Sequence, residues 1–242
     1  MIKLKRIPLE GVSNLRDLGG YATQGGSTRW HTCYRCDLPL CTKEGWNTLY
    51  DVYGVRCIID LRSSAETKYQ TYTYEHPDMA LLHHPLIKED IDLKNMSGAE
   101  VFQRSMADSY LLMVETNPEG VVAILEDIAK YLQKGAVIYH CTAGKDRTGI
   151  ITFFLYSLVG VASADIMADY QVSSTYNYYG NGSTNNLLKD LQKENTTWMH
   201  SQPENLGSLF AYFMEHDMES WLMEHGMKQE SINQIKKMMI VK

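Results

Sequence analysis

The sequence of 242 residues lacks most of the features that mark secreted or membrane proteins. Its five cysteines are an odd number at low density, unlike a disulfide-stabilised scaffold. The apolar run over residues 150–161 is too short and interrupted to span a bilayer, and no apolar signal-peptide segment follows the basic residues near the start. We therefore expect a soluble, cytoplasmic protein without integral membrane association, although leaderless secretion would leave no signal.

Positive charge and metal-binding patterns are also scarce. The net charge of −6 argues against nucleic-acid binding by general electrostatics. Cys33 and Cys36 form the only Cys-x-x-Cys pair, and zinc would need two further ligands. His83 and His84 are adjacent on a predicted strand, so their side chains point to opposite faces and cannot share one ion. We expect no metal site and no cofactor.

The strongest positive signal is a loop between a predicted strand and a predicted helix. Residues 136–139 are apolar and β-prone, and residues 150–159 are apolar nearly all round and end before a glycine. Between them, residues 140–149 read His-Cys-Thr-Ala-Gly-Lys-Asp-Arg-Thr-Gly. Because amides in a tight loop and at a helix N-terminus carry unpaired partial positive charge, this stretch predicts a site for a phosphate-like anion.

Both ends of this loop carry residue types suited to phosphoryl transfer. Cys141 opens it, where the same amides would stabilise a thiolate. Arg147 closes it with a planar guanidinium that can bind two phosphate oxygens at once. A nucleophile and a bidentate anion ligand on one loop are what transfer through a cysteinyl-phosphate requires. The alternative is a structural turn with an inert, buried cysteine.

The pattern His-Cys-x5-Arg-Thr resembles the signature of the cysteine-based protein tyrosine phosphatases, and the whole loop is similar to their bacterial tyrosine/dual-specificity branch. Some members of that branch also act on phosphoinositides. Residues 11–20 (Gly-Val-Ser-Asn-Leu-Arg-Asp-Leu-Gly-Gly) and residues 54–66 resemble the same family. The resemblance implies an α/β fold: a central, largely parallel sheet flanked by helices, with additional C-terminal helices.

The resemblance also implies roles within the loop. Cys141 is expected to attack phosphorus while Arg147 holds the non-bridging oxygens, and water then hydrolyses the cysteinyl-phosphate. His140 and Thr148 are expected to support the loop and the thiolate, Thr148 through its hydroxyl. The other loop residues are expected to bind the substrate phosphate: Thr142, Ala143, Gly144 and Lys145.

The sequence offers three candidates for the general acid that protonates the leaving group. Many tyrosine phosphatases take this proton from a Trp-Pro-Asp loop, and this chain has no such triplet. Asp146 is favoured because it lies within the anion loop, and a salt bridge to Lys145 or Arg16 is its structural alternative. Asp90 and Asp92, in an acidic turn-like segment, are the competing candidates.

The expected substrate is a phosphotyrosyl protein, with phosphoserine, phosphothreonine and phosphoinositides as secondary substrates and free phosphate or sulfate as a loop ligand. Lys145 either recognises a second phosphate, as in a phosphoinositide, or is neutralised by Asp146. The alternatives to a tyrosine phosphatase are an inositol-polyphosphate phosphatase and a catalytically weak phosphate-binding module. Cys36 or Cys57 is a candidate partner for an oxidised Cys141.

The remaining pattern predicts one domain over residues 1–242, in which residues 163–242 are mostly helical and pack on or cover the core. The predicted strands cover residues 55–61 and 79–87, the predicted helices 42–53, 99–115, 118–133, 206–224 and 228–240 and one starting at 163, and a loop covers 177–186. Arg16 and Arg35 are expected to pair with Asp17 or Asp37 and hold the N-terminal segment. The alternative places Arg16 near the phosphate pocket.

Overall fold

A computed structural model describes residues 3–72, 74–87, 105–179 and 200–242. The strands in these ranges are numbered in chain order: β1 (Arg16–Asp17), β2 (Ala22–Thr23), β3 (Gly26–Thr28), β4 (Cys33–Cys36), β5 (Val55–Asp60), β6 (Ala80–His83), β7 (Ala136–His140) and β8 (Ile240–Val241). The helices are α1 (Lys43–Asp51), α2 (Ser64–Tyr69), α3 (Met106–Thr116), α4 (Pro118–Tyr131), α5 (Asp146–Leu158), α6 (Ser163–Tyr179), α7 (Gly207–Glu215), α8 (Met218–Glu224) and α9 (Gln229–Met239), with a 3₁₀ turn at Pro203–Leu206.

The main sheet has the strand order β1-β4-β7-β5-β6. Strands β4, β7, β5 and β6 are parallel, and β1 joins the edge antiparallel to β4. Strands β2, β3 and β8 form a small antiparallel sheet. The predicted class, α/β with a largely parallel central sheet, is confirmed.

Both faces of the main sheet are covered by apolar helix surfaces. Because successive strand residues point to opposite faces, Ile59 of β5 packs into one cluster with α4, α5 and α9, while Ile58 packs into another with α1. Strand β7 is therefore buried along its whole length, at the centre of the fold. Within the described ranges, none of the helices is long and apolar enough to cross a bilayer.

Several helix starts follow the capping signals in the sequence. Thr42 accepts a hydrogen bond from the amide of Gly45 at the start of α1, in the helix predicted over residues 42–53. Ser63 and Glu66 form a reciprocal capping box at the start of α2. This box fixes the position of the Glu66 carboxylate, which reaches the candidate active site.

Two predicted boundaries were wrong because a cap or a proline intervenes. The strand predicted over 79–87 ends at His83, since Pro85 cannot donate to a ladder. In the helix predicted over 99–115, Ser105 is extended and caps α3, which starts at Met106; residues 99–104 lie outside the described ranges.

Two further predictions failed in the C-terminal part. The helix predicted over 206–224 is interrupted, because Asp217 is extended and caps α8 as a separate helix. The loop predicted over 177–186 begins too early, since Asn177 lies within α6; residues 180–186 are outside the described ranges.

Candidate active site

The predicted anion loop lies at the carboxyl end of the central strand β7 and leads into α5. Cys141, its first residue, is only 2% exposed. Gly144 has a φ of +63°, and a Cβ atom there would lie 2.2 Å from the carbonyl oxygen of Cys36. The loop can therefore follow this path only with glycine at position 144.

The loop is held by its carbonyl groups. Asn14 Nδ2 donates to the carbonyl oxygens of Ala143 and Gly144 at 3.0 Å each, and Asn177 Nδ2 donates to Ala143 at 2.8 Å. Arg35 Nη2 donates to the carbonyl of Gly144 at 2.9 Å. Since C=O and the following N–H point in opposite directions across a planar trans peptide, the next amides are directed away from these anchors, where they can bind anion oxygens.

The guanidinium of Arg147 is paired with Glu66 of α2. Arg147 Nη1 and Nη2 donate to the two Glu66 oxygens at 2.5 and 2.8 Å, and the Thr142 hydroxyl donates to Glu66 at 2.6 Å. The side chains are 13% exposed for Arg147 and 35% for Glu66. We call Arg147 and Glu66 the front pair. Burial works to raise the pKa of Glu66, but the hydrogen bonds and charge of Arg147 hold it well below its usual range.

The charge of Arg147 also interacts electrostatically with Cys141. Burial works to lower the pKa of Arg147, whereas Glu66 and then Cys141 raise it above its ordinary value. The guanidinium therefore remains charged and interacts electrostatically with Cys141.

His140 supports the loop from within the core. Its Nδ1 lies 3.0 Å from the carbonyl oxygen of Cys141, and its Nε2 lies 2.8 Å from the Tyr72 hydroxyl. Burial lowers the pKa of His140, although Asp60, 3.9 Å away, acts in the opposite direction. A carbonyl can only accept, so the hydrogen-bond network assigns the proton of the neutral ring to Nδ1. The Thr148 hydroxyl is buried and has no hydrogen-bond partner, Cys141 included, among the described residues.

Asp146, the favoured acid, is the first residue of α5. Its Oδ1 accepts a hydrogen bond from the hydroxyl of Tyr110, and Lys145 Nζ lies 3.4 Å from the same oxygen. The Asp146 side chain is 30% exposed. The competing candidates, Asp90 and Asp92, lie outside the described residues.

A second arginine cluster lies behind the loop. Arg35 Nη1 and Arg16 Nη2 lie 3.0 and 3.3 Å from Asp169 Oδ2, and all three side chains are fully buried. We call Arg16, Arg35 and Asp169 the rear cluster. The predicted partners were wrong: Asp17 accepts from backbone amides at residues 19 and 31, and Asp37 from those at 13 and 14. Both arginines do hold the N-terminal segment, but through a carboxylate on α6.

Several residues that shape the site had no assigned role in the sequence reasoning: Asn14, Glu66, Tyr110, Asp169 and Asn177. Three of them carried a usable signal. Asn14 and Glu66 fall inside stretches that resemble the phosphatase family, the step Asp169-Tyr170 also matches it, and the resemblance could have been extended to their roles. Within the described residues, no group of three or more histidine, cysteine or acidic side chains could hold a metal ion.

The chain belongs to the tyrosine phosphatase family. The family's sequence profile, described as "Tyrosine phosphatase family", matches residues 7–241. The resemblance drawn from the loop and the N-terminal stretches is thereby confirmed.

Individual relatives carry the same family name. A tyrosine-protein phosphatase of Nostoc commune is 34% identical over 129 residues, which cover 51% of this chain and 42% of that protein. A putative tyrosine-protein phosphatase of Cupriavidus necator is 27% identical over 179 residues, covering 71% of this chain and 64% of that protein. The chain thus spans less than two thirds of either relative. A crystal structure of TpbA from P. aeruginosa in complex with phosphotyrosine aligns with a TM-score of 0.40 and 14% identity, covering 81% of this chain and 86% of that one.

Proposed function

We propose that this chain is a cysteine-dependent protein tyrosine phosphatase that needs no metal. Family membership supports the reaction class. The observation that carries the proposal is the anion loop: Cys141 and Arg147 stand at its two ends, and side chains from other segments bind the carbonyls of Ala143 and Gly144. The N–H groups that follow these carbonyls point away from those side chains, towards the position of an oxyanion. Such fixed donors stabilise the charge that develops on a transferring phosphoryl group.

The reaction would proceed in two balanced steps. The Cys141 thiolate attacks phosphorus, the bond to the leaving oxygen breaks, and a general acid gives that oxygen a proton. Water then attacks the cysteinyl-phosphate, gives a proton to the same carboxylate, and displaces the thiolate. Arg147 and the loop amides hold the three non-bridging oxygens in both steps. We propose phosphate contacts for Thr142, Ala143, Gly144 and Lys145, and supporting roles for His140 and Thr148.

We assign the general acid to Asp146. Its carboxyl lies one residue from Arg147 and is partly exposed, so a leaving group can approach it. Among the described residues, Glu66 also brings a carboxylate to the loop, but both of its oxygens accept from Arg147 and its pKa lies well below its usual range. It therefore has no proton to donate at neutral pH.

The environment of Lys145 supports phosphotyrosine as the main substrate. Lys145 is only 5% exposed and its Nζ lies 3.4 Å from Asp146, so its charge is partly neutralised within the loop. We place phosphoserine, phosphothreonine and phosphoinositides as secondary substrates, and inorganic phosphate or sulfate as a loop ligand. All five cysteines are buried thiols that form no disulfide, which supports a reducing, cytoplasmic location.

Substitution of the nucleophile tests the proposal. Cys141→Ser should abolish hydrolysis of a phosphotyrosyl peptide, measured with a chelator present, while phosphate binding by calorimetry persists. Cys33→Ser is the matched control, because Cys33 is equally buried but lies on β4 away from the loop. Hydrolysis by Cys141→Ser at the wild-type rate would refute the mechanism. A phosphoinositide turned over faster than the peptide would refute the substrate preference.

A further inference from the structure

A line of buried polar side chains leads from the C-terminal half of the chain to Asp146. Tyr110 of α3 donates to Asp146 Oδ1, and its hydroxyl oxygen lies 2.7 Å from that of Tyr170 on α6. Asn205, in the 3₁₀ turn, donates through Nδ2 to the Tyr170 hydroxyl at 2.9 Å. A chain of hydrogen bonds thus runs from the 3₁₀ turn through α6 and α3 and ends at one carboxylate oxygen.

The direction of this line is fixed by its ends. The ionised carboxylate of Asp146 can only accept, so it takes the single hydroxyl proton of Tyr110. Tyr170, which accepts from the amide nitrogen of Asn205, must therefore be the donor to Tyr110. Both tyrosines are at most 1% exposed. Burial, then the charge of Asp146, raises the pKa of each phenol above its ordinary value, so both remain protonated donors at neutral pH.

The line is packed directly against the first turn of α5. A Cβ atom added to Gly149 would lie 3.0 and 3.1 Å from ring carbons of Tyr170. The rings of Tyr110 and Tyr170 meet edge to face with centroids 6.2 Å apart. The absence of a side chain at position 149 therefore lets Tyr170 lie against the turn that carries Asp146 and Arg147.

Resting on the proposed function, we propose that Tyr110, oriented by Tyr170 and Asn205, is a positioning residue for the general acid. Its donated hydrogen bond makes Oδ1 of Asp146 the acceptor oxygen. When Asp146 is protonated, its proton then resides on Oδ2, which accepts no hydrogen bond from the described part of the chain. That proton passes to the leaving oxygen as the phosphorus–oxygen bond breaks, and the tyrosines keep theirs.

The other charged groups around Asp146 act on the same carboxyl. Lys145 lies 3.4 Å from Oδ1, and the charge of Arg147 is coupled to Asp146 through the loop. Lys145 favours the same oxygen, Oδ1, as the negative end of the carboxylate, and Arg147 acts through its charge. Tyr110 is therefore the residue whose removal should affect proton donation without removing positive charge from the anion site.

The test uses aryl phosphates whose leaving phenols differ in acidity. Tyr110→Phe should lower kcat/KM by about tenfold for phenyl phosphate and by less than about twofold for p-nitrophenyl phosphate, because a good leaving group needs little protonation. Asp146→Asn should lower kcat/KM for phenyl phosphate by about 10²-fold or more. Adding Tyr110→Phe to Asp146→Asn should cause no further loss, since Tyr110 acts through Asp146.

Tyr139→Phe is the matched control. Tyr139 is also fully buried, and its hydroxyl lies 2.8 Å from the Thr152 hydroxyl on α5, away from Asp146. It should leave the dependence on leaving-group acidity unchanged. If Tyr110→Phe is too unstable to assay, Tyr170→Phe cuts the next link and should give a smaller change in the same direction.

An equal loss of kcat/KM for both aryl phosphates in Tyr110→Phe would overturn the role of Tyr110. A further loss when Tyr110→Phe is added to Asp146→Asn would also overturn it, because Tyr110 would then act independently of Asp146. If Asp146→Asn lowers kcat/KM equally for phenyl phosphate and p-nitrophenyl phosphate, Asp146 is not the general acid and Tyr110 has no acid to position. The proposed cysteine-dependent reaction is refuted by a different result, hydrolysis of substrate by Cys141→Ser.

Discussion

The two arginine–carboxylate groups on either side of the anion loop differ mainly in exposure. In the front pair, the side chains of Arg147 and Glu66 are 13% and 35% exposed. In the rear cluster, every side chain is 0% exposed. The front guanidinium can therefore meet a phosphate from solvent, whereas the rear guanidinia can reach only the protein. The same chemical pair thus serves the proposed reaction on one side of the loop and the fold on the other.

The carboxylates of Glu66 and Asp169 are both held ionised, but burial opposes their ionisation to different extents. Burial opposes ionisation of Asp169 more than that of Glu66, yet the two arginines hold the pKa of Asp169 well below its usual range. A fully buried ion pair adds little net stability to the protein compared with apolar residues of similar size. Removal of one partner is nevertheless strongly destabilising, because it leaves the other charge buried without compensation. The two groups should therefore respond differently to loss of the carboxylate charge.

The largest effect is expected from Asp169→Asn, which leaves two buried guanidinia without a counter-charge. The free energy of unfolding should fall by roughly 3–5 kcal/mol, measured by urea denaturation. Asp165→Asn, on the same helix but only half-buried, is the control and should change it by less than about 1 kcal/mol. Equal effects of the two substitutions would remove the distinction between the rear cluster and an ordinary surface charge.

The rear cluster also shows where prediction from the sequence stops. Asp169 is 153 residues from Arg16 and 134 from Arg35, and no local pattern joins them. The nearest acidic residues, Asp17 and Asp37, were therefore chosen as partners. The actual pairing depends on two tertiary facts: strands β1 and β4 place Arg16 opposite Arg35, and α6 packs against them.

The front of the loop was more predictable because its main residues are contiguous. A buried strand, a short polar loop and an apolar helix are local signals, and the structure has them in this order, with Cys141 after β7 and with Asp146 and Arg147 in the first turn of α5. The groups that fix the loop come from elsewhere: Asn14, Glu66, Tyr110 and Asn177. Their contacts depend on packing between distant segments, which periodicity does not encode.

A third carboxylate, Asp37, sharpens the comparison because it is buried without a guanidinium bonded to it. Burial, only partly offset by the amides of Asn14 and Ser13, raises the pKa of Asp37 to about 7. Between its unfolded pKa near 4 and this value, the folded protein binds more protons than the unfolded one. The contribution of Asp37 to the free energy of unfolding is thus greatest at low pH and is lost as the pH rises towards 7.

Asp37→Asn should abolish this dependence, because the amide oxygen can still accept from the backbone and cannot ionise. Relative to the variant, the wild type should lose about 1 kcal/mol of unfolding free energy per pH unit between pH 5 and 6.5. Urea denaturation at several pH values measures the slope. For Asp169, whose pKa is lowered, the sign is opposite: its contribution is present above pH 4 and lost below it. Parallel curves for the wild type and Asp37→Asn would show that Asp37 is already ionised.

The smallest change in stability is expected from Glu66→Gln in the front pair. Because the pair is partly exposed, solvent screens it, and the free energy of unfolding should fall by no more than about 1 kcal/mol. Glutamine keeps one acceptor oxygen for Arg147 but loses the charge and one of the two parallel hydrogen bonds. The guanidinium is then less well oriented, and kcat/KM for a phosphotyrosyl peptide should fall by about tenfold.

Glu75→Gln provides the control for this variant, since Glu75 is exposed and should affect neither quantity. The informative result is the ratio of the two effects. In the front pair, Glu66→Gln should lower kcat/KM more than it lowers the free energy of unfolding. In the rear cluster, the main effect of Asp169→Asn should be on the free energy of unfolding. A Glu66→Gln protein that unfolds as easily as Asp169→Asn, yet retains full activity on the peptide, would reverse the roles assigned to the two sides of the loop.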